Sequence, residues 1–190
     1  MECRQETMRV YVEKIDRKTA YQVKNWGNFD DPRLSGYNYG NLTDIEINLW
    51  YNSLSSPLKR YFAVKLIDND RFIGFMGLKN YNPLLKKAKL GIVFDPNYVS
   101  DGFGYEAMVE FLKYYFDELK FKELLLEVNT FNDRALRLYK KLGFVEYGSD
   151  LELFENQNIK FDDRYFVKKY DMIYSKILKM RLTKDDYNGF

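Results

Sequence analysis

The sequence predicts a mixed α/β domain built on a central, mostly antiparallel sheet of roughly six to seven strands, flanked by about four helices. Two observations carry this prediction. Three strand-like apolar segments follow one another through short turns between Arg60 and Phe94, which is typical of an antiparallel meander. A strand, an amphipathic helix and a second strand then follow within residues 87–128. So short a unit implies a right-handed crossover and a parallel strand pair.

The first part of the chain predicts one strand followed by two helices. Residues 8–15 alternate in polarity as a half-buried strand does, and Asp16 can begin a helix over residues 18–26. Thr43 and Glu46 have the spacing of a capping box at the start of the second helix. The apolar side of that helix is predicted to consist of Ile45, Leu49, Trp50 and Leu54.

The middle of the chain predicts the three strands of the meander. Arg60–Ile67 and Arg71–Leu78 are apolar runs joined by Asp68-Asn69-Asp70, which is a hairpin turn signal. A second turn at Asn80-Tyr81-Asn82-Pro83 leads to the third strand, Lys87–Phe94. Because the connections are short, each strand is expected to be antiparallel to the one before it.

A glycine-bearing turn connects the third strand to the longest predicted helix. Residues 99–104 are Val-Ser-Asp-Gly-Phe-Gly, and the helix is expected to start near Gly104. Glycine can adopt backbone angles forbidden to other residues and lets a ligand approach the main chain closely. The first N–H groups of a helix have no partner inside the helix, and the helix dipole favours negative charge there. The turn therefore predicts an anion-binding site.

The last third of the chain begins with a buried strand and a capped helix. Glu123–Val128 is a continuous apolar run, suited to a strand buried on both faces. Asn132 or Asp133 can cap the next helix, and Gly143 can supply the left-handed residue that ends it.

Two further strands are predicted to complete the sheet. They cover Phe144–Phe154 and Tyr165–Met180, and the polar run 155–164 is expected to form a loop between them. The charged tail 183–190 is expected to be disordered, which leaves residues 1–182 as a single domain.

Composition excludes several classes of site. The 190 residues suit one domain, and 30 Lys and Arg nearly balance 28 Asp and Glu, so no nucleic-acid partner is expected. Histidine is absent and Cys3 is the only cysteine, which rules out histidine bases and an internal disulfide, and no metal site is expected. No apolar run approaches the roughly 20 residues of a membrane span, and no signal peptide is visible. We therefore expect a cytoplasmic protein with no membrane partner.

Two motifs resemble a known family. The first is Ser100-Asp101-Gly102-Phe103-Gly104-Tyr105-Glu106-Ala107, and the second is NDRALRLYKKLGF over Asn132–Phe144. Together with the residues from Pro96, they resemble the acyl-coenzyme A binding half of the GNAT superfamily of N-acetyltransferases. The branch with the ribosomal-protein N-terminal acetyltransferases is especially similar, because its turn is commonly Gly-x-Gly-Tyr-Ala-Thr-Glu-Ala. The predicted order of strands and helices is also the order of the GNAT fold.

The resemblance implies transfer of an acetyl group from acetyl-coenzyme A to a primary amine, by direct attack through a tetrahedral intermediate. The amine would belong to a protein N-terminus, a polyamine or another small molecule. The amides of residues 99–104 and Tyr105 would bind the pyrophosphate, and the main chain of Val93, Phe94 and Asp95 would bind the pantetheine arm. The predicted pyrophosphate-binding residues are Val99, Ser100, Asp101, Gly102, Phe103, Gly104 and Tyr105.

The resemblance also implies catalytic roles. Tyr139 resembles the tyrosine that protonates the departing sulfur, and a phenol with a pKa near 10 is well matched to a thiolate. Asn132 resembles the asparagine that contacts the pantetheine region. In related enzymes a glutamate on the central strands often takes the proton of the amine, but Lys89 occupies the position where that glutamate is expected. Glu127 and Asp95 are therefore the candidate bases, and a water chain is a further possibility. The structural alternatives are that Asn132 only caps a helix and that Tyr139 only packs.

A second function remains open at this point. Lys89 and the negative charge of Asp101 beside a diphosphate depart from the family pattern, and they favour a non-catalytic acyl-coenzyme A binding or sensing module. In either case the partner would be a small-molecule or peptide amine, and the protein a monomer or homodimer. Loop 27–42, expected to act as a lid, and residues 150–165 would shape the acceptor pocket.

Overall fold

A mixed sheet of eight strands forms the centre of the computed structural model, which describes residues 8–187 and 189. The strands are β1 Val10–Lys14, β2 Arg60–Leu66, β3 Phe72–Asn82, β4 Lys87–Phe94, β5 Glu123–Asn129, β6 Val145–Leu153, β7 Phe166–Lys169 and β8 Met172–Thr183. The helices are α1 Arg17–Tyr21, α2 Asp44–Leu54, α3 Phe103–Lys113 and α4 Asp133–Lys141. The strand order is β1-β2-β3-β4-β5-β8-β6, and β7 pairs with β8.

The predicted fold class is confirmed, including its one parallel pairing. Strands β2, β3 and β4 form the antiparallel meander. Strands β4 and β5 are parallel, with Lys87–Leu90 of the first opposite Glu123–Leu126 of the second. All other described strand pairs are antiparallel. The crossover between β4 and β5 is made by α3, as the strand, helix and strand pattern predicted.

Each face of the sheet is covered by helices. Helices α3 and α4 cover one face, where Met108 and Phe111 lie in the same buried cluster as Leu90 and Leu126. Fully burying such a side chain contributes about 1.5–3 kcal/mol. The first two helices cover the other face around Trp26, whose indole N–H donates to the carbonyl of Phe72 at 3.0 Å.

The start of α2 follows the prediction, and its buried side does so in part, because Leu54 is buried and Trp50 packs against the core. Thr43 and Glu46 form the predicted capping box. Ile45 and Leu49, however, are 73% and 65% exposed, and Ile47 is buried instead. The prediction was wrong for Ile45 and Leu49, because a short helix with apolar residues on several sides has no single apolar stripe, so its docking against α1 decides which side is buried.

Two strand ends also differ from the prediction. Strand β3 continues to Asn82, and its pairing with β4 is irregular between Lys79 and Asn82, where Asn80 has a φ of 51°. The turn follows at residues 83–86. The single strand predicted over residues 165–180 is two strands, β7 and β8. Tyr170 and Asp171 both adopt positive φ, 50° and 61°, and form the tight turn between them.

The longest helical segment consists of α3 and a further turn that follows it. The helix begins at Phe103, one residue before the predicted start, and continues after Lys113 as a π-helical turn over Tyr114–Glu118. The hydroxyl of Tyr115 donates to the carbonyl of Glu123 at 2.7 Å, which fixes this turn to the start of β5.

The predicted disorder does not hold for residues 183–187. Thr183 ends β8, and the ring of Tyr187 stacks on Phe116 with centroids 5.0 Å apart. Lys184 pairs with Asp117 at 2.5 Å. Cys3 lies outside the described residues. Within residues 8–187 and 189, no helix is long and apolar enough to cross a membrane.

Candidate active site

A cleft opens where β4 and β5 separate. Their pairing ends at Leu90 and Leu126, after which β4 stays paired with β3 and β5 stays paired with β8. The edge of β4 that faces β5 is therefore free of strand pairing over residues 91–94. The cleft has a volume of about 630 Å³, and its lining includes both Gly102, at the start of α3, and Tyr139.

The turn before α3 supplies one end of the cleft. Ser100 and Gly102 both adopt left-handed backbone angles, with φ of 73° and 90°. The predicted cofactor-binding residues that line the cleft here are Val99, Ser100, Gly102, Gly104 and Tyr105. Gly104 is helical, and a Cβ at its position would lie 3.5 Å from Cδ2 of Leu138, which is an ordinary van der Waals contact.

The side chains of Asp101 and Phe103 do not line the cleft. Asp101 is exposed and is not among the lining residues. The ring of Phe103 packs against the guanidinium of Arg9, whose Cζ lies 4.3 Å from the ring centroid. The prediction for both residues concerned their main-chain amides, so these side-chain positions do not contradict it and it stays a prediction.

Arg9, which lies just before β1, contacts this turn, and the sequence did not reveal that contact. Its side chain makes two kinds of bond to the turn region: Nη2 donates to the carbonyl of Asp101 at 2.7 Å, and Nε donates to the Glu106 carboxylate at 2.7 Å. Its main-chain N–H also donates to Glu106, at 2.8 Å. Arg9 and Glu106 are 97 residues apart, so no local pattern could have joined them. This arginine holds the backbone that would present amides to an anion.

Replacing Arg9 with leucine is expected to weaken coenzyme A binding by about tenfold, which corresponds to roughly 1.4 kcal/mol. The loss follows because the turn then samples conformations that do not bind. Isothermal titration calorimetry measures the dissociation constant. Arg17→Leu is the matched control, since Arg17 also bonds across elements, to Asn48 and Asn52, but far from the turn. Equal dissociation constants for the two variants would contradict the role of Arg9.

Asp95 is not available as a base. It is 0% exposed, does not line the cleft, and its Oδ1 accepts from the N–H groups of Gly27 and Asn97, each at 3.0 Å. Its own N–H donates to the carbonyl of Ile73 at 2.8 Å, and its carbonyl accepts from the N–H of Tyr98 at 2.8 Å, so both main-chain groups are engaged within the protein rather than with a pantetheine arm. Both predictions for Asp95 are corrected, because the end of β4 turns its carboxylate inward. Val93 and Phe94 do line the cleft.

Tyr139 and Asn132 lie on the α4 side of the cleft. Tyr139 is 6% exposed, and burial raises the pKa of its phenol, as does the nearby Tyr37, while Arg134 lowers it. The phenol therefore keeps its proton at neutral pH. Asn132 also lines the cleft, and its Oδ1 accepts from the N–H of Ala135 at 3.2 Å, so the residue is a helix cap as well.

Glu127 and Lys89 form an ion pair inside the cleft. Glu127 is on β5 and Lys89 is on β4, so the pair lies across the two parallel strands where their pairing ends. Glu127 thus lies in the cleft, and its role as the base stays a prediction.

The opposite end of the cleft is aromatic. Loop 27–42, predicted as a lid, contributes Phe29, Leu34, Tyr37 and Tyr39 to the lining. Tyr39 packs against Trp50 and Phe75 with ring centroids 5.2 Å apart in each case, and burial raises its pKa to about 12. Of the predicted region 150–165, Glu152 lines the cleft.

Several polar groups also reach this end. The Oδ1 atom of Asn129 is buried, lines the cleft and has no hydrogen-bond donor among the described residues. A buried acceptor without a donor is costly, and a ligand N–H would satisfy it. Lys59 and Lys79 line the cleft as well, and Lys59 donates to the carbonyl of Ser53 at 2.7 Å.

Comparison with known proteins identifies similar chains. A family profile described as "Acetyltransferase (GNAT) domain" matches residues 8–145. Spermidine N(1)-acetyltransferase of Vibrio cholerae is 27% identical over 172 residues, which are 88% of this chain and 92% of that protein. Spermidine N(1)-acetyltransferase of Escherichia coli is 26% identical over 134 residues, 70% of this chain and 66% of that protein.

Solved structures share the fold. The spermidine N-acetyltransferase from Vibrio cholerae in complex with CoA and spermine has a TM-score of 0.73 and 22% identity, over 95% of this chain and 99% of that one. A dodecameric structure of the same enzyme has a TM-score of 0.69 and 20% identity, over 96% and 98% of the two chains. These relatives do not support the ribosomal-protein branch to which the turn motif pointed.

Proposed function

This chain belongs to the GNAT acetyltransferase family, and we propose that its acceptor is a polyamine, a primary amine that carries further positive charge. As a member of that family it is an N-acetyltransferase that uses acetyl-coenzyme A. The cleft carries the proposal, because a single cavity joins the α3 turn, Tyr139 and the aromatic end. Donor and acceptor could therefore meet inside it.

The residues present fit coenzyme A. The left-handed backbone at Ser100 and Gly102 leaves the turn open to an anion, and the free edge of β4 leaves main-chain groups of Val93 and Phe94 for an amide-bearing arm. Acetyl-coenzyme A supplies a thioester, whose carbonyl carbon an amine can attack. In this proposal the turn and β4 hold the donor in the cleft.

The proton transfers are assigned to two side chains. Tyr139 holds its proton at the phenolic oxygen and would give it to the departing sulfur, since its raised pKa keeps it protonated. Glu127 is the remaining carboxylate candidate for taking the proton of the amine, directly or through water. Its pairing with Lys89 keeps the carboxylate in the cleft.

The aromatic end supports a cationic acceptor. An ammonium group over an aromatic face is stabilised by about 0.5–2 kcal/mol, and this end combines Tyr37, Tyr39 and Trp50 with the carboxylate of Glu152. The carboxylates of Glu152 and Glu155 also contribute to the raised pKa of Tyr37, after the larger effect of burial, which indicates that negative charge is concentrated there. The buried Oδ1 of Asn129 adds an acceptor for an amine N–H.

Release of free thiol from acetyl-coenzyme A tests the acceptor class. We expect kcat/KM for spermidine to exceed that for a monoamine of similar length by at least about tenfold, because the second charge adds roughly 1.4 kcal/mol of binding. Glu152→Gln is expected to reduce this preference. Asp150→Asn is the matched control, since Asp150 pairs with Lys179 and does not line the cleft.

Other acceptors would give different results. Equal rates for the monoamine and spermidine would contradict the polyamine proposal. Faster turnover of a peptide N-terminus rich in carboxylates would assign the recognition to Lys59 and Lys79 instead.

The binding or sensing module remains the competing function. It would show saturable coenzyme A binding with no thiol release for any amine. The fold weakens both features that favoured it, because Lys89 is paired with Glu127 and the side chain of Asp101 lies outside the cleft lining.

The monomer or homodimer expected from the sequence stays a prediction, since the Vibrio cholerae enzyme has been described as a dodecamer. Light scattering of the purified chain measures the mass directly.

A further inference from the structure

Lys89 places a primary amine inside the cleft, in an ion pair with Glu127, the carboxylate proposed as the base. An acceptor amine must reach the same carboxylate to lose its proton, so the Lys89 ammonium stands where the acceptor ammonium has to act. The two side chains are 33% and 31% exposed, which shows that the pair is not sealed in the core. Lys89 therefore has the reactive group of a substrate at the position of a substrate.

Lys89 also lies near the place where the proposed docking puts the thioester. The free edge of β4 begins at Gly91, directly after the last paired residue, Leu90. An arm that is anchored at the α3 turn and follows this edge runs from Phe94 back towards Gly91. Lys89 is two residues further along the same strand, which is roughly 7 Å at about 3.3 Å per residue, and it lines the same cleft. The reactive end of the arm thus approaches this lysine.

The other two lysines of the cleft lack a base. Nζ of Lys59 donates to the carbonyl of Ser53 at 2.7 Å. Lys79 is exposed and lies opposite Lys89 in the pairing of β3 with β4. Of the three lysines, only Lys89 forms an ion pair with a residue that the structure describes. Like charges directly opposite each other on neighbouring strands are destabilising, so loss of the Lys89 charge would also relieve a repulsion from Lys79.

The charge of the cleft is poorly matched to a polycationic acceptor as long as Lys89 is an ammonium. In the described part of the chain, the lining contains four cations and two carboxylates: Lys59, Lys79, Lys89, Arg134, Glu127 and Glu152. Lys89 already neutralises one of the two carboxylates. Removing its charge would release Glu127 for the acceptor and reduce the repulsion of a second ammonium group.

We propose that Lys89 is an internal acetyl acceptor, modified when acetyl-coenzyme A is bound without an amine, and that its modification frees Glu127 for the polyamine. Glu127 takes one proton from the Lys89 ammonium, and the electron pair of Nζ attacks the thioester carbonyl carbon. An N–C bond forms, the C–S bond breaks, and Tyr139 gives its proton to the departing sulfur. The nitrogen loses a second proton, which restores the phenol, and Glu127 passes the first to solvent. The products are Nε-acetyl-lysine and coenzyme A.

Peptide mass spectrometry tests the inference, which rests on the proposed function. The full chain is incubated with acetyl-coenzyme A and no amine, and we expect one acetyl group per chain, on Lys89. Lys79 is the matched lysine on the neighbouring strand and is expected to stay unmodified. Lys86, which is exposed in the turn after β3, reports the background of non-enzymatic acetylation. Saturating spermidine is expected to protect Lys89, because it competes for Glu127.

Variants separate directed transfer from the chemical reactivity of an exposed lysine. Tyr139→Phe is expected to slow the modification of Lys89 by about 10²–10⁴-fold and to leave the background at Lys86 unchanged. Tyr61→Phe is the matched control, since Tyr61 also lines the cleft and has no assigned proton transfer. Urea unfolding of each variant establishes that the fold is retained.

The consequence of the modification is measured on the modified protein. Its KM for spermidine is expected to be about fivefold lower than that of the unmodified protein, because one like charge is removed from the cleft. An unchanged or higher KM would overturn this role of Lys89.

The same samples distinguish the inference from the proposed function. Thiol release with spermidine measures the proposed function directly. Turnover of spermidine while Lys89 is acetylated no faster than Lys86, or equally fast in Tyr139→Phe, would overturn the inference and leave the proposed function intact. Absence of both reactions would overturn both.

Discussion

Replacing Tyr139 with phenylalanine is expected to lower kcat by about 10²–10⁴-fold, which is the range of a lost general acid. The dissociation constant of coenzyme A should change less than about twofold, because phenylalanine keeps the ring that packs against Phe144 with centroids 5.7 Å apart. Steady-state thiol release measures the first quantity and calorimetry the second. A large loss of kcat with an unchanged dissociation constant is the result expected for a residue that protonates the departing sulfur.

The pH dependence provides a second readout for Tyr139. Burial raises the pKa of its phenol above the usual value near 10. The phenol therefore stays protonated at every pH up to about 10. No loss of kcat from this group is therefore expected between about pH 7 and 10. Tyr61→Phe, which changes another tyrosine of the cleft lining, should retain most of the turnover. If Tyr139→Phe turns over as fast as the unsubstituted protein, the residue only packs.

Replacing Asp95 with alanine is expected to lower the free energy of unfolding by roughly 3 kcal/mol. The substitution leaves the N–H groups of Gly27 and Asn97 without their carboxylate acceptor, and each charge-assisted bond contributes about 1.5–3 kcal/mol. The bond to Gly27 also ties the start of loop 27–42 to the end of β4. Urea unfolding measures the loss, and Asp68→Ala in the exposed hairpin turn should change stability by less than about 0.5 kcal/mol.

Asp95→Asn separates anchoring from catalysis. Asparagine keeps an oxygen at the Oδ1 position, so both hydrogen bonds can persist and most of the stability should be retained. Turnover should also be retained, since the carboxylate has no access to the cleft. A stable Asp95→Asn protein that has lost its turnover would restore Asp95 as the base and refute the assignment as an anchor.

Local features of the fold were predictable from the sequence. The alternation and apolar runs of the strands, the Thr43 and Glu46 capping box and the cap at Asn132 involve residues within a few positions of one another. Gly143 likewise has the left-handed φ of 88° expected after α4. The motif around Gly102 pointed to the correct family because backbone geometry at a strand and helix junction allows few residue types.

The contacts that define the candidate site depended on the tertiary structure. Arg9 meets Glu106 across 97 residues, and Lys89 meets Glu127 across 38. The inward turn of Asp95 likewise depends on a segment far away in the chain, at Gly27.

The sequence by itself determined where most strands and helices lie, the family and the position of the α3 turn. Only the tertiary structure decided which charges meet, which side of α2 is buried and that Asp95 is an anchor. The physical reason is that hydrogen-bond periodicity and capping act between residues a few positions apart. Pairing and burial of side chains depend on how distant segments dock. The apolar surface buried by the whole folded chain determines that docking.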